Sequence, residues 1–129
     1  MALKLTLKPR ERVIIGSAAI QNGGTRAELS IVNAVPVLRE SDILSPKAVR
    51  TPCERVYLML QLVYLDAPRA DEHHESYVAL AADVAVAAPS CRRLLARIDA
   101  LLADGRPYQA LKCARTLLRK ERELMSHVS

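Results

Sequence analysis

The feature that most limits what this chain can fold into is a change of hydrophobic period near residue 46. Upstream, apolar residues return at every second position, as side chains do on a pleated strand; downstream they return at three- and four-residue intervals, as on one face of a helix. Leu3, Leu5 and Leu7 alternate with Lys4, Thr6 and Lys8, so a first strand has one apolar and one largely basic face. Pro9-Arg10-Glu11 supplies a turn, Arg12 to Ile15 a second strand, and Gly16 a bend. Ser17 to Gln21 reads as a short third strand before Asn22-Gly23-Gly24, the signal of a tight hairpin. Arg26 to Val32 alternates again, with Ala27, Leu29 and Ile31 on one face. Val35 to Arg39 is a fifth strand, and Pro36 puts it at a sheet edge or at the strand's start.

The helical part opens with Thr51-Pro52-Cys53-Glu54, a capping box with Pro at the first helical position, which starts a helix running to about Leu65. Its sides are apolar nearly all round, the pattern of a buried central helix. A second helix, roughly Ala70 to Ala88, carries Asp71, Glu72 and Glu75 where they complement the helix dipole. Pro89 and Ser90 open a third, with Leu94, Leu95, Ile98, Leu101 and Leu102 on one face and Gly105 placed to cap it. Pro107 begins a fourth, with Leu111, Ala114, Leu118 and Met125 at helical spacing. The fold class expected is therefore α+β: an antiparallel β unit of about five strands over residues 1–45, then a bundle of about four α-helices over residues 46–129. The β segment alone can hardly bury a stable core, so it must pack on helices or pair with a second copy, as in a homodimer.

The chain has no Trp, no Phe and only four Tyr, so its core is expected to consist of Leu, Val, Ile and Ala. Cys53, Cys91 and Cys113 lack a C-x-x-C spacing and are odd in number, which suits small core residues in a reducing cytoplasm better than disulfides or zinc ligands. The apolar run Val56 to Leu65 is broken by Gln61 and is too short to span a bilayer, so no membrane role is expected. Nucleophile elbows, phosphate-binding loops, dinucleotide fingerprints and H-E-x-x-H are all absent, and no enzyme or cofactor is expected. His73-His74-Glu75 is the one tract that invites a metal, but adjacent helical residues point about a hundred degrees apart and grip one ion poorly, so none is expected. His127 falls in the C-terminal tail.

Charge narrows the function. The net charge is +5, distributed as eight Lys/Arg against four acids in residues 1–50, two against six in 51–87, and nine against four in 88–129. Localised basic surface favours polyanionic partners, while the plainer reading is a solvated surface. Two constellations stand out. On the β unit, Lys4, Lys8, Arg10, Arg12, Arg26 and Arg39, with Thr6 beside Lys4 and Lys8, can follow a phosphate backbone, or can simply protect strand edges by charge. On the helices, Lys112, Arg115, Arg119 and Arg122 form a stripe, and Arg92, Arg93 and Arg97 crowd the preceding helix; this is a secondary RNA surface, a contact for an acidic partner, or a solvated face. No Tyr lies in residues 1–50, so RNA bound there would be held by Arg, backbone and shape rather than base stacking.

Leu3-Lys4-Leu5-Thr6-Leu7-Lys8-Pro9, Arg12-Val13-Ile14-Ile15-Gly16, Asn22-Gly23 and Val37-Leu38-Arg39-Glu40-Ser41-Asp42-Ile43-Leu44 together resemble the FlbT family of flagellar regulators. Thr51-Pro52, Arg55-Val56-Tyr57, Tyr64-Leu65-Asp66 and Tyr108-Gln109-Ala110-Leu111-Lys112-Cys113 extend the likeness over nearly the whole chain. The resemblance implies a cytoplasmic post-transcriptional repressor that associates with the 5′ untranslated leader of flagellin mRNA and lowers its translation or lifetime. It also implies a small partner protein, FlaF, with opposing effect. A second resemblance concerns the β unit alone: Glu11 to Gly16 and Val37 to Glu40 are similar to strands of the RNA-binding regulator CsrA. By that likeness Arg39 corresponds to an RNA-contacting arginine and Leu3 to Thr6 to a strand that meets RNA. The middle strands are shorter here, and a long helical region replaces CsrA's single short helix. The runner-up expectation is an adaptor that binds FlaF, flagellin or a translation factor and does not touch RNA.

Overall fold

The computed structural model describes residues 2–126, and His127 lies outside them. The chain divides into two compact units, residues 1–43 and 44–129. The first unit holds five antiparallel strands, β1 (Leu3–Leu7), β2 (Arg12–Ile15), β3 (Ala18–Gln21), β4 (Ala27–Ile31) and β5 (Val37–Arg39). The second holds four helices, α1 (Pro52–Leu65), α2 (Ala70–Ala87), α3 (Arg92–Ala103) and α4 (Pro107–Ser126). The α+β class expected from the change of period is the one observed.

The strands form two small sheets. β1 pairs with β4, Leu3 opposite Ile31 and Leu7 opposite Ala27. β2 lies between β3 and β5, with Ile15 opposite both Ala18 and Val37. Alternation puts Leu5, Leu7 and Val13 in one apolar cluster, with Ile15, Leu29, Ile31 and Val37 packed against it. The expectation of a hairpin at Asn22-Gly23 is corrected, since β3 returns on β2 and does not pair with β4. The two-residue turn is Gly16-Ser17, where Gly16 takes φ +62°, the left-handed conformation a tight hairpin needs at its first central position. Gly23 and Gly24 have no positive φ, so the turn that Asn-Gly usually makes does not form. Instead the Asn22 side-chain amide donates to the carbonyls of Leu7, Lys8 and Thr25, tying the end of β1 to this loop.

In the helical unit, α1 packs against both α2 and α4, and α3 against α4. The capping box at Thr51 forms as expected: the hydroxyl accepts from the Glu54 amide, and Glu54 Oε1 accepts from the Thr51 amide. Glu121 of α4 reinforces it, accepting from the Thr51 hydroxyl at 2.5 Å and from the Cys53 amide at 3.1 Å. Gly105, at φ +72°, ends α3 with a Schellman pair, Gly105 N–H to the Leu102 carbonyl and Arg106 N–H to that of Leu101.

The core is less purely aliphatic than its composition suggests, because Tyr57 and Tyr77 are buried with Val56, Leu60, Ile98 and Leu117. Tyr77 is admissible there because its hydroxyl donates to Asp99 Oδ1 at 2.7 Å. Gln61, which interrupts the apolar run of α1, is buried too; its amide accepts from Leu44 N–H and donates to Leu44 C=O, standing in for a strand neighbour. Cys53 and Cys91 are buried and Cys113 half-buried, all as free thiols. Among the described residues no helix is long and apolar enough to cross a membrane.

Candidate nucleic-acid interface

The β unit's basic residues are organised by one turn. The Glu11 N–H bonds back to the Lys8 carbonyl, with Pro9 and Arg10 between them, and Arg10 takes φ +64°. This is the geometry of a type II turn, whose third position favours glycine; here it carries an arginine. The ladder between β2 and β3 continues through the turn, with Arg10 N–H on the Gly23 carbonyl and Asn22 N–H on that of Glu11. Arg10 is therefore held in an unfavourable conformation by backbone bonds on its flanks, and its side chain projects into solvent.

Glu11 does not project. Its carboxylate accepts from the Lys8 amide at 2.9 Å and from Arg39 Nη2 at 3.0 Å. The same Arg39 nitrogen donates to the Thr6 carbonyl at 2.6 Å, so one guanidinium joins β5, β1 and the turn. The Lys8 amide and then Arg39 hold the Glu11 carboxyl below its ordinary value, overcoming partial burial. Glu40 behaves similarly toward the backbone, its Oε1 accepting from the Arg12 amide at 3.2 Å.

Around this turn Lys8, Arg10 and Arg39 line one open cleft of about 590 Å³, together with Glu11, Glu40 and Ser41. Lys4 and Thr6 line a second furrow of about 480 Å³ on the β1–β4 ribbon, facing Glu28 and Ser30. Arg12 and Arg26 are exposed and line neither. Lys8, Arg10 and Arg39 thus line one cleft, whereas Lys4 and Thr6 line the other, and the Thr6 backbone carbonyl is tied to Arg39. Sequence reading missed the acids: Glu11, Glu28 and Glu40 interleave with the cations, and Arg39 is already neutralised by Glu11. The signal available was Glu11 beside Arg10 and Glu40 beside Arg39, but only the strand pairing says which way each points.

The basic residues of the helical unit do not form one surface either. Arg92 bonds the Ala85 carbonyl, Lys112 lies over the Tyr108 ring at 5.7 Å, Arg97 faces Cys113, and Arg122 neighbours Glu54. Arg115 is half-buried. Arg93 of α3 and Arg119 of α4 line one cleft together with Lys120, which the stripe pattern had not included. His73 Nε2 sits 2.9 Å from Asp66 Oδ2, while His74 lies against the Tyr77 ring. Among the described residues no group of three or more His, Cys, Asp or Glu could hold a metal.

Comparison with known proteins gives the family. The family model for Flagellar protein FlbT matches residues 3–125. The chain is 42% identical to Probable flagellum biosynthesis repressor protein FlbT 1 of Bradyrhizobium diazoefficiens, over 96% of this chain and 85% of that protein. It is 36% identical to Probable flagellum biosynthesis repressor protein FlbT of Rhodopseudomonas palustris, over 98% and 99% respectively. With Flagellum biosynthesis repressor protein FlbT of Caulobacter vibrioides it shares 34% identity, over 100% of this chain and 93% of the relative. No solved structure matches the chain. On a match that runs from the first strand almost to the end of α4, the chain belongs to the FlbT family of flagellar proteins.

Proposed function

We propose that this protein represses flagellum biosynthesis in the cytoplasm by binding the 5′ untranslated leader of flagellin mRNA through its β unit, lowering the message's translation or lifetime. The repressor part of this reading is supported by the names its relatives carry. The RNA part is carried by one observation, the cleft where Lys8, Arg10 and Arg39 converge on a polar, aromatic-free surface. Such a surface suits a sugar-phosphate backbone better than a stacked base. Lys8 and Arg10 supply the cations outside the Arg39–Glu11 ion pair, with Glu40 the acid beside them. Arg39, compensated by Glu11 at neutral pH, acts chiefly as the strut that holds the turn in place. Lys4, Thr6 and Arg12 extend the track along the neighbouring strands.

The test is fluorescence anisotropy of a labelled flagellin leader titrated with the full chain, beside a shuffled RNA, at several salt concentrations. The expected result is preferential leader binding whose logarithmic salt slope changes by about 0.7 for each phosphate no longer neutralised, as in Lys8→Gln or Arg10→Gln. Equal affinity for both RNAs, vanishing in modest salt, would remove direct RNA recognition from the reading.

A specific feature favours a second reading, an adaptor that binds a partner protein such as FlaF. Between α2 and α3 lies an open groove of about 780 Å³ whose alanine- and leucine-rich walls, with Val78, are flanked by Asp71, Arg92 and Asp99, a surface that suits an amphipathic partner helix. Tight partner binding by a protein that shifts no RNA would select it.

A further inference from the structure

We propose that the cleft between the start of α3 and the C-terminal half of α4 is a phosphate-binding site, built from residues other than those of the β unit. The cleft has a volume of about 650 Å³. Arg93 enters it from α3, Arg119 and Lys120 from α4, and the hydroxyl residues Ser90 and Thr116 line it beside them. Three cations face one carboxylate, that of Glu123. Among the described residues none of the three cations forms an ion pair. Arg119 is oriented, its Nη2 lying 3.3 Å from Thr116 Oγ1.

The start of α3 adds a second reason. Arg92 and Arg93 open this helix with no acid in its first turn and no side-chain cap; α4 also lacks an acid there, whereas α1 and α2 begin with Glu54 and with Asp71 and Glu72. A guanidinium at the positive end of a helix opposes its dipole; Arg92 is turned to the Ala85 carbonyl, and an anion between Arg93 and α4 would offset the charge that remains. Two guanidinium forks, an ammonium and hydroxyl donors match the tetrahedral oxygens of phosphate better than a planar carboxylate. Leu94 is the one apolar side chain in the lining and no aromatic is present, so neither a base nor an acyl chain finds a seat. The ligand chemistry is thus linked phosphates, either in a nucleic-acid backbone or in a small phosphorylated molecule.

The experiment is a nuclear magnetic resonance titration of the 15N-labelled full chain with sodium pyrophosphate, against sodium chloride at matched ionic strength. Saturable shifts of the Ser90, Arg93, Thr116 and Lys120 amides are expected. The combined variant Arg93→Gln, Arg119→Gln, Lys120→Gln should weaken pyrophosphate at least tenfold with an unchanged circular dichroism spectrum. Lys8→Gln with Arg10→Gln should leave it unaltered, so failure of the β-unit reading and failure of this one are distinguishable. Shifts that do not saturate, that chloride reproduces, or that survive in the combined variant would overturn the site. A second arm identifies the source. If leader RNA displaces pyrophosphate and binds the combined variant several-fold more weakly, the occupant is backbone phosphate. If RNA affinity is unchanged while pyrophosphate binding is abolished, it is a small phosphorylated ligand.

Discussion

Arg39 Nη2 lies 3.0 Å from Glu11 Oε2, and the same nitrogen donates to the Thr6 carbonyl, so the last strand of the β unit is fastened to its first strand and first turn through one guanidinium. Glu11 is held below the ordinary value of 4.5 first by the Lys8 amide and then by Arg39. A carboxyl depressed in the folded state stabilises that state above its unfolded value, and the contribution disappears as pH falls below 4.5 through the folded value. Glu54, depressed first by the Arg50 amide, follows the same sign. Urea midpoints should therefore fall between pH 7 and pH 3, and Glu11→Gln should flatten part of that dependence while lowering the midpoint at pH 7. Arg39→Lys should keep more of the pH 7 midpoint than Arg39→Ala. Equal midpoints for the two Arg39 variants would mean that the fork geometry contributes nothing.

Arg10 sits at φ +64° in a turn position that favours glycine. Replacing it with Gly removes a steric cost of roughly 1–2 kcal/mol but adds unfolded-state entropy worth about 0.5–1 kcal/mol. Arg10→Gly should thus raise stability by up to about 1.5 kcal/mol in urea unfolding. On the proposed function the same change weakens leader RNA binding. A variant both less stable and unaltered in RNA affinity would contradict the strain and the contact together.

Glu121 accepts from the Thr51 hydroxyl and the Cys53 amide, closing the start of α1 from α4. Glu121→Ala leaves both donors to seek other partners, and a loss of about 1–3 kcal/mol is expected for hydrogen bonds to a charged acceptor. Thr51→Ala, which also breaks the capping box, should cost about 1 kcal/mol or more. Because both changes act on one network, the double variant should lose less than the two single losses added, which thermal or urea melts of all four proteins would read.

The thiols should be slow. Burial, then the Glu121 carboxylate, push the Cys53 thiol well above the usual range, burial raises Cys113 as well, and Cys91 is buried. With a chromogenic disulfide reagent at pH 8, the folded chain should react many times more slowly than the chain in denaturant, where all three titrate. A single fast thiol in the folded protein would identify a site these environments do not describe.

Legibility differed by the range of the interaction involved. The capping box at Thr51, the Gly105 cap and the alternation of β1 are local patterns, and residues a few positions apart state them in full. Strand partnership is not local. Leu3 pairs with Ile31 and Val13 with Arg39, and a local turn signal at Asn22-Gly23 was overridden by the side-chain bonds Asn22 makes to Leu7 and Lys8. The same limit governs the candidate surface. That Arg10 projects while Glu11 folds back depends on the backbone conformation at Arg10, and that Arg93 and Lys120 line one cleft depends on how α3 packs on α4. Buried Tyr77 was hidden for another reason: composition records the ring but not the Asp99 acceptor that makes its burial tolerable.

The strand order also sets a timetable for the nascent chain. Emerging from the ribosome N-terminus first, β1 has no neighbour until β4 follows, and only the β2–β3 hairpin can close from adjacent residues. Leu5 and Leu7 therefore lack their strand partner until β4 is made, and Val13 is the first apolar side chain available to cover them. The last fastening comes with β5, when Arg39 reaches back to Thr6 and Glu11, so the residue that ties the unit together is also among the last of it to be made.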